Sequence, residues 1–221
     1  YQLALKSYRR ALNIKQKIGD KAGIATTLNN MGNIQLDRGE YNEALELYEQ
    51  ALTIYKKVGK RPDIGTVLNN IGSALQKQEK YKQAIDYHLS SLAIAREVKD
   101  PLGEGAALIN LGNAYYKQGN FKNATEELYK AINVLESLRP GLTDAEKISI
   151  FETQEQTYRV LQKVLVAQNK FKQALEIAVR GRARAFIELL AQRLSSDSQL
   201  QATTSSPSIS KIQQIAKTQK A

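Results

Sequence analysis

Apolar positions in this chain recur with helical spacing, and the whole pattern returns after 40 residues. The segment YNEALELYEQALTIYKKVGK (41–60) has counterparts at residues 1–20, 81–100 and 121–140. Within each segment the apolar residues follow one another at intervals of three and four, which is typical of one face of an α-helix. The pattern therefore predicts helices that repeat in register.

A second helical pattern fills the intervals between these segments. Its copies read TTLNNMGNIQLDRGE (26–40), TVLNNIGSALQKQEK (66–80) and AALINLGNAYYKQGN (106–120). Each copy carries a glycine on its apolar face, at Gly32, Gly72 and Gly112. A glycine inside a helix costs up to about 1 kcal/mol relative to alanine, so three in register require a reason. We expect them to permit close approach of the paired helix, which a side chain would block.

The other helix of each pair combines alanines with one large residue at a matching position. We expect the large residues to fill the space between units; they are Tyr8, Tyr48, His88 and Leu128. Turn signals separate the helices. Gly39 and Gly119 are expected to end first helices in the left-handed conformation, and Asp100 is expected to cap the helix that follows it. Prolines that open or break helices fall between units, at Pro62, Pro101 and Pro140.

A fixed period of this size indicates a solenoid built from one repeated hairpin. The predicted fold class is all-α, a right-handed α-α superhelix of stacked antiparallel helix hairpins without β-strands. The predicted units are 1–20 (the second helix of a truncated repeat), 21–60, 61–100, 101–140 and 141–194 (an extended unit with an end helix). Residues 195–208 form a Ser/Thr-rich linker, and residues 209–221 are predicted to form a short helix that leads to a further, missing domain.

The extended unit keeps the same scheme with a longer turn. Phe171 and Ala174 correspond to Tyr41 and Ala44, and this register also aligns Ala178 and Gly181 with the second-helix positions. The alignment predicts that the first-helix core positions are Tyr158, Leu161 and Leu165.

Each first helix carries a large apolar residue followed by glycine (Met31-Gly32, Ile71-Gly72 and Leu111-Gly112), and each second helix carries alanine, a large residue and then alanine or serine. These positions resemble the tetratricopeptide repeat, with Leu28, Leu68 and Leu108 in place of its leading aromatic residue and without its usual terminal proline. The 40-residue period is similar to the variety found in kinesin light chains and in the Leu-Gly-Asn repeat proteins that orient spindles. The resemblance covers residues 1–140. It implies that the first helices line a concave face, and that a protein or peptide partner binds there.

A second resemblance covers the end of the chain. The segment VLVAQNKFKQALEIAVRGRARAFIELLAQRLS (164–195), with the Ser-rich linker and the ISKIQ helix, resembles the junction before the CHAT domain of bacterial, mainly cyanobacterial, proteins. CHAT domains are caspase-like and use a His–Cys dyad, which this cysteine-free chain does not carry. The resemblance implies that the chain is a regulatory or recruitment arm of a larger bacterial protein.

Asparagines recur on the first helices. Asn30, Asn70 and Asn110 share one position, and Asn33 and Asn113 lie three residues further on. The repeat resemblance implies that these amides point into the concave groove, where they can bond the N–H and C=O groups of an extended peptide. Alternatively, they bond neighbouring helices and shape the superhelix. Three further residues are expected to contribute to the peptide site: Thr66, Gln76 and Tyr116.

The net charge of +10 raises the possibility of nucleic-acid binding. However, residues 21–170 carry 19 basic and 18 acidic side chains, and the excess lies in residues 1–20 (+4) and 171–221 (+5). A groove that follows phosphates needs positive charge along its length. We therefore expect a protein or peptide partner, with no nucleic acid and no membrane. A peptide-pheromone sensor and a nucleic-acid-binding superhelix remain the alternatives.

Reactive constellations are absent from the sequence. His88 is the only histidine, it occupies a packing position, and no cysteine is available as nucleophile or thiolate ligand. The run RGRAR (180–184) could bind phosphate, but its spacing spreads the guanidinium groups around a helix, which suits a solvated or interface position. We expect a non-enzymatic protein without metal or cofactor, in a reducing cytoplasm.

Overall fold

Nearly all of the described chain is helical. The computed structural model describes residues 1–138 and 144–181, which divide into two units at Leu138. The helices are α1 (Gln2–Lys17), α2 (Lys21–Asp37), α3 (Tyr41–Val58), α4 (Arg61–Lys77), α5 (Tyr81–Glu97), α6 (Pro101–Lys117), α7 (Phe121–Ser137), α8 (Asp144–Ala167) and α9 (171–181). No β-strand occurs among the described residues, and the predicted all-α solenoid is confirmed. None of the described helices is long and apolar enough to cross a membrane.

Short turns reverse the chain after each of the helices α1 to α6. One residue per turn has a left-handed backbone, and these residues are Gly19, Gly39, Gly59, Glu79, Lys99 and Gly119. The predicted left-handed glycines are confirmed, with φ of 81° at Gly39 and 85° at Gly119. Glu79 and Lys99 adopt the same conformation with φ of 61° and 56°, although a Cβ disfavours it. The equal spacing of these turns gives antiparallel helices of nearly equal length.

Side-chain caps fix where some of the first helices begin. The carboxylate of Asp100 accepts a hydrogen bond from the backbone N–H of Gly103 at 3.0 Å, as predicted. Asp20 caps α2 in the same way, through the N–H of Gly23 at 2.8 Å. Pro101 is the first residue of α6, where its missing N–H leaves no helix hydrogen bond unmade. Pro140 lies outside the described residues.

Each hairpin of the first unit contains one contact between a glycine and a large side chain. A Cβ built on Gly72 would lie 2.6 Å from Cε1 of His88, and one on Gly32 would lie 2.5 Å from Cε1 of Tyr48. The third hairpin repeats the contact, with 2.5 Å from a Gly112 Cβ to Cγ of Leu128. We call these three contacts the glycine seam. They confirm that glycine permits close approach of the paired helix.

The large residues of the seam lie inside hairpins, whereas the sequence led us to expect them between units. Tyr48, His88 and Leu128 are all fully buried against the first helix of their own hairpin. The expectation was wrong because helical spacing identifies the apolar face but not which of two neighbouring helices that face meets. Tyr8, which holds the same position in α1, is only partly buried.

Successive hairpins pack mainly through the second helix of one against the first helix of the next, α3 against α4 and α5 against α6. The first helices also contact each other, α2 with α4 and α4 with α6, whereas the second helices α3, α5 and α7 lie further apart. Because the first helices are closer together, they line the inner, concave side of the stack. The buried core extends between the layers and includes Leu28, Leu68, Leu108, Ile71 and Leu111.

The second unit preserves the predicted core positions of its first helix. Tyr158, Leu161 and Leu165 in α8 are buried, as expected from the alignment. A Cβ built on Gly181 would lie 3.4 Å from Cβ of Tyr158, which is an ordinary contact distance. The predicted end helix beyond residue 181, the linker 195–208 and the helix 209–221 lie outside the described residues.

Replacing Gly72 with alanine should destabilise the first unit by about 1–3 kcal/mol, because the new Cβ would overlap a fully buried imidazole ring. Thermal unfolding followed by circular dichroism measures the change. The same substitution made in a His88→Ala background should cost much less, since the ring is then absent. An equal loss of stability in both backgrounds would show that the destabilisation does not come from overlap with the ring of His88.

Candidate functional site

The first helices α2 and α4 are joined by side-chain amides on the concave side. Nδ2 of Asn70 donates to Oδ1 of Asn29 at 2.9 Å and to Oδ1 of Asn33 at 3.2 Å. The hydroxyl of Tyr48 donates to the same Oδ1 of Asn33 at 2.8 Å. The amide group therefore ties two first helices together and connects them to the large residue of the glycine seam.

The next pair of first helices, α4 and α6, repeats this arrangement with different residues. Nδ2 of Asn110 donates to Oδ1 of Asn69 at 3.1 Å and lies 3.5 Å from Oγ of Ser73. Nδ1 of His88 is hydrogen-bonded to the same Oδ1 of Asn69 at 2.8 Å. We call the connected set Asn29, Asn33, Asn69, Asn70 and Asn110 the amide ladder.

In each side-chain amide of the ladder, one of the two polar atoms, Oδ1 or Nδ2, forms hydrogen bonds within the protein. The other polar atom has no hydrogen-bond partner among the described residues, and we call it open. In the described chain no side chain or backbone group bonds Oδ1 of Asn70 or Asn110, and neither atom is buried. The Nδ2 groups of Asn33 and Asn69 are open in the same way, because their Oδ1 atoms take the internal bonds. The ladder thus presents both acceptors and donors to solvent.

Two of the other predicted asparagines lie near the ladder without being bonded into it. Asn30 and Asn113 are partly buried, and neither side chain forms a hydrogen bond within the described residues. Asn30 is on α2, one residue after the ladder member Asn29.

The remaining predicted site residues lie on first helices but are not joined to the ladder. Thr66 is exposed, and its hydroxyl donates back to the carbonyl of Pro62 at 3.3 Å. Gln76 is partly buried. Tyr116 packs against Phe121, with ring centroids 5.9 Å apart and planes at 44°. These three residues could contact a partner only beside the ladder.

The internal acceptors Asn29, Asn69 and Ser73 were not predicted from the sequence. The paired asparagines at 29–30 and 69–70 were the available signal. Adjacent helical residues differ by about 100° in direction, so one amide of each pair can face the preceding first helix while the other faces the next. Both asparagines of a pair are then needed to continue a ladder over several helices.

The two polar residues that anchor the ladder carry no charge at neutral pH. Burial lowers the pKa of His88 to about 4, and burial also raises the pKa of Tyr48 above its usual value, with a smaller contribution from Asp37. Nε2 of His88 is buried and has no hydrogen-bond partner in the described chain. The predicted packing role of His88 is confirmed, since its ring is fully buried and fills the seam.

The chemistry available at this site is neutral hydrogen bonding. In the part of the chain that the structure describes, no three His, Cys, Asp or Glu side chains come together as metal ligands. The open atoms of the ladder are amide oxygens and amide N–H groups, which bond other amides well and have no charge to offer a phosphate. The arrangement suits a polypeptide backbone.

Antiparallel helix hairpins of this size, stacked one on the next, define a helical repeat protein. The tetratricopeptide repeat family model matches residues 1–57 and 63–137, which together make up more than half of the chain. The chain belongs to the tetratricopeptide repeat family. Repeats of this family are typically non-catalytic scaffolds for protein interactions.

Among curated proteins, tetratricopeptide repeat protein 28 of Mus musculus and of Homo sapiens are each 41% identical to this chain over 69 residues. The match covers 30% of this chain, and it spans only 3% of the length of either relative. It supports the family and says nothing of the activity of the whole relatives.

Solved structures share the fold at low sequence identity. BtubC (BKLC) from P. vanneervenii has a TM-score of 0.70 and 21% identity, covering 91% of this chain and 76% of its own. A putative kinesin light chain from Podosopora anserina with nearly identical repeats has a TM-score of 0.62 and 17% identity, and the match covers 87% of this chain and 88% of that protein. A Rap protein in complex with competence and sporulation factor has a TM-score of 0.68 and 20% identity, and the match covers 80% of this chain and 46% of the Rap protein.

The stability of the first unit should fall on acidification because His88 is buried without charge. The unfolded histidine takes up a proton near pH 6.5, whereas the folded one does so only near pH 4, so stability is lost between these values as pH decreases. We expect a loss of about 2 kcal/mol from pH 7 to pH 5, measured by urea unfolding at both values.

The next hairpin supplies a control for this measurement. Its counterparts of His88 and Asn69 are Leu128 and Ile109, which cannot titrate. The double variant His88→Leu, Asn69→Ile should therefore lose much less stability over the same pH interval. If the original chain and the double variant lost stability equally, the effect would belong to other groups.

Proposed function

We propose that this chain binds an extended peptide segment of a partner protein along the concave face of its first helices. The observation that carries the proposal is the orientation of the amide ladder. Its internal bonds hold Asn70 and Asn110 with their oxygens open to solvent, and they leave open N–H groups on Asn33 and Asn69. A peptide bound there would find preorganised acceptors and donors.

An extended polypeptide offers the matching groups. Successive residues present N–H and C=O groups that are otherwise bonded only to water, and amide side chains can bond both kinds. Because the ladder is held by its own hydrogen bonds, little conformational entropy is lost when a peptide binds to it. Backbone recognition of this kind does not depend on peptide sequence. Selectivity would come from neighbouring groove residues, for which Thr66, Gln76 and Tyr116 are the candidates.

Two alternatives involve other ligands on the same face. A short free peptide, as in a pheromone sensor, would use the same ladder, and the similarity to the Rap fold favours this alternative at the level of fold only. A nucleic acid would require cations along the groove, whereas residues 21–170 are almost neutral. A binding constant that changes steeply with salt concentration would favour nucleic acid over a peptide.

We also propose a place for the chain within a larger protein. The resemblance of residues 164–195 and the ISKIQ segment to the junction before a CHAT domain supports a recruitment arm of a bacterial, cytoplasmic protein, itself without catalytic activity. The test is the coding sequence that follows Ala221. A caspase-like strand with a His–Cys dyad is expected there, and an unrelated domain would contradict this part of the proposal.

Replacing Asn30, Asn70 and Asn110 together with alanine should weaken peptide binding strongly. Each lost hydrogen bond is worth about 0.5–1.5 kcal/mol, so the affinity should fall by about ten-fold to more than a thousand-fold. The probe is a linear peptide selected from a random library on the full 221-residue chain, and binding is measured by calorimetry well below the unfolding temperature.

A matched control removes two internal partners of the ladder, Asn29 and Ser73, and keeps the outward oxygens of Asn70 and Asn110 and the open N–H groups of Asn33 and Asn69. The variant Asn29→Ala, Ser73→Ala should lose thermal stability but clearly less affinity than the triple variant. If the two variants bound the peptide equally, or if the triple variant melted early yet bound normally, the asparagines would serve only to join the helices.

A further inference from the structure

A second surface lies on the second-helix side of the array, between α3 and α5. It is a cleft of about 280 Å³, which we call the outer cleft. Its floor is apolar and is formed by Leu45, Ile71 and Leu75, of which Ile71 is 1% and Leu75 7% exposed. Its rim carries two exposed carboxylates, Glu49 and Asp86. An apolar floor with an acidic rim suits a ligand that is both aliphatic and cationic.

The rim carboxylates have no cation of their own. Within the described residues, neither Glu49 nor Asp86 forms an ion pair. Glu49 is followed four residues later by Thr53, whose hydroxyl donates to the carbonyl of Glu49 at 2.9 Å. Asp86 is followed four residues later by Ser90, whose hydroxyl donates to the carbonyl of Asp86 at 2.9 Å. Neither rim carboxylate is therefore held in an ion pair by the described chain, although Lys82 lies one turn before Asp86 on α5.

One repeat further on, the chain neutralises the equivalent position. The counterpart of Asp86 is Glu126, and Lys130 lies 2.9 Å from its carboxylate. Lys130 also pairs with Glu127 at 3.0 Å, and the counterpart of Lys130 one repeat earlier is Ser90. The two repeats also differ at the counterparts of Glu49 and Tyr87, which are Leu89 and Glu127. Asp86 therefore lacks the lysine that pairs with its counterpart.

We propose that the outer cleft binds an arginine side chain of a partner protein. The aliphatic part of arginine would cover Leu45, Ile71 and Leu75, as long basic side chains do on apolar surfaces. The planar guanidinium would reach the carboxylates of Glu49 and Asp86 and could lie against the ring of Tyr87, which lines the same cleft. Arginine fits better than lysine because its five donors can serve two carboxylates at once.

This site is separate from the amide ladder. It is lined by residues of α3 and α5 and by Ile71 and Leu75 of α4, and none of its lining residues belongs to the ladder. A partner bound at the outer cleft therefore need not compete with a peptide on the concave face. Loss of binding at one surface would leave the other intact, so the two proposals can fail independently.

The test is a nuclear magnetic resonance titration of the ¹⁵N-labelled full chain with the peptide Ac-Leu-Arg-Leu-NH₂. Its control is the same peptide with citrulline, which has nearly the shape of arginine and no charge. We expect shifts at backbone amides around Leu45, Glu49 and Tyr87 with the arginine peptide, and at least ten-fold weaker binding of the citrulline peptide. Equal binding of both peptides, or shifts confined to the first helices, would overturn the proposal.

The next repeat provides the diagnostic variant. Ser90→Lys copies Lys130, and the new lysine should form an ion pair with Asp86, four residues before it on α5. Because Asp86 is then neutralised, the affinity for the arginine peptide should fall at least five-fold. Asn133→Lys adds the same charge at an exposed position of α7 and should leave binding unchanged. Undiminished binding to Ser90→Lys would overturn the proposal. If that variant did not fold, Glu49→Gln with Asp86→Asn would test the same carboxylates, and normal binding to it would also contradict the site.

Discussion

The close contact between a first-helix glycine and one large second-helix side chain determines how each hairpin is built. At Gly32, Gly72 and Gly112 the partner side chain already occupies the space that a Cβ would need. The two helices can approach this closely only because that atom is missing. Buried against the glycine, the large side chain has a fixed position, and the groups at its tip are fixed with it.

The polar connections between hairpins depend on this contact. The tip of Tyr48 reaches Asn33, and the ring of His88 reaches Asn69, so each seam residue orients an amide of its own hairpin. That amide then accepts from the asparagine of the next first helix. In the third hairpin the seam residue is Leu128, which has no polar tip, and the counterpart of Asn69 is Ile109. The ladder is therefore found only where the seam residue is polar, as in Tyr48 and His88. The open amide oxygens and N–H groups of the ladder form the proposed peptide site.

Much of the fold could be predicted from the sequence because it is local and repeated. The 40-residue period, the left-handed Gly39 and the cap at Asp100 each depend on a few neighbouring residues, and the core position of Tyr158 follows from alignment alone. The partners of the asparagines could not be predicted in this way. Whether Asn70 faces solvent or Asn29 depends on the rotation of two helices about their axes, which packing across hairpins decides. The same limit explains why Tyr48 and His88 were expected between units.

The central claim is that the asparagine ladder joins the first helices and at the same time presents its outward atoms to a peptide. A crystal structure of the chain with a library-selected peptide tests this most directly. We expect peptide N–H groups at about 2.7–3.2 Å from Oδ1 of Asn70 and Asn110, with the bonds from their Nδ2 groups to Asn29 and Asn69 retained. A peptide bound to the chain while both oxygens still face water, or ladder bonds broken to accommodate it, would contradict the account.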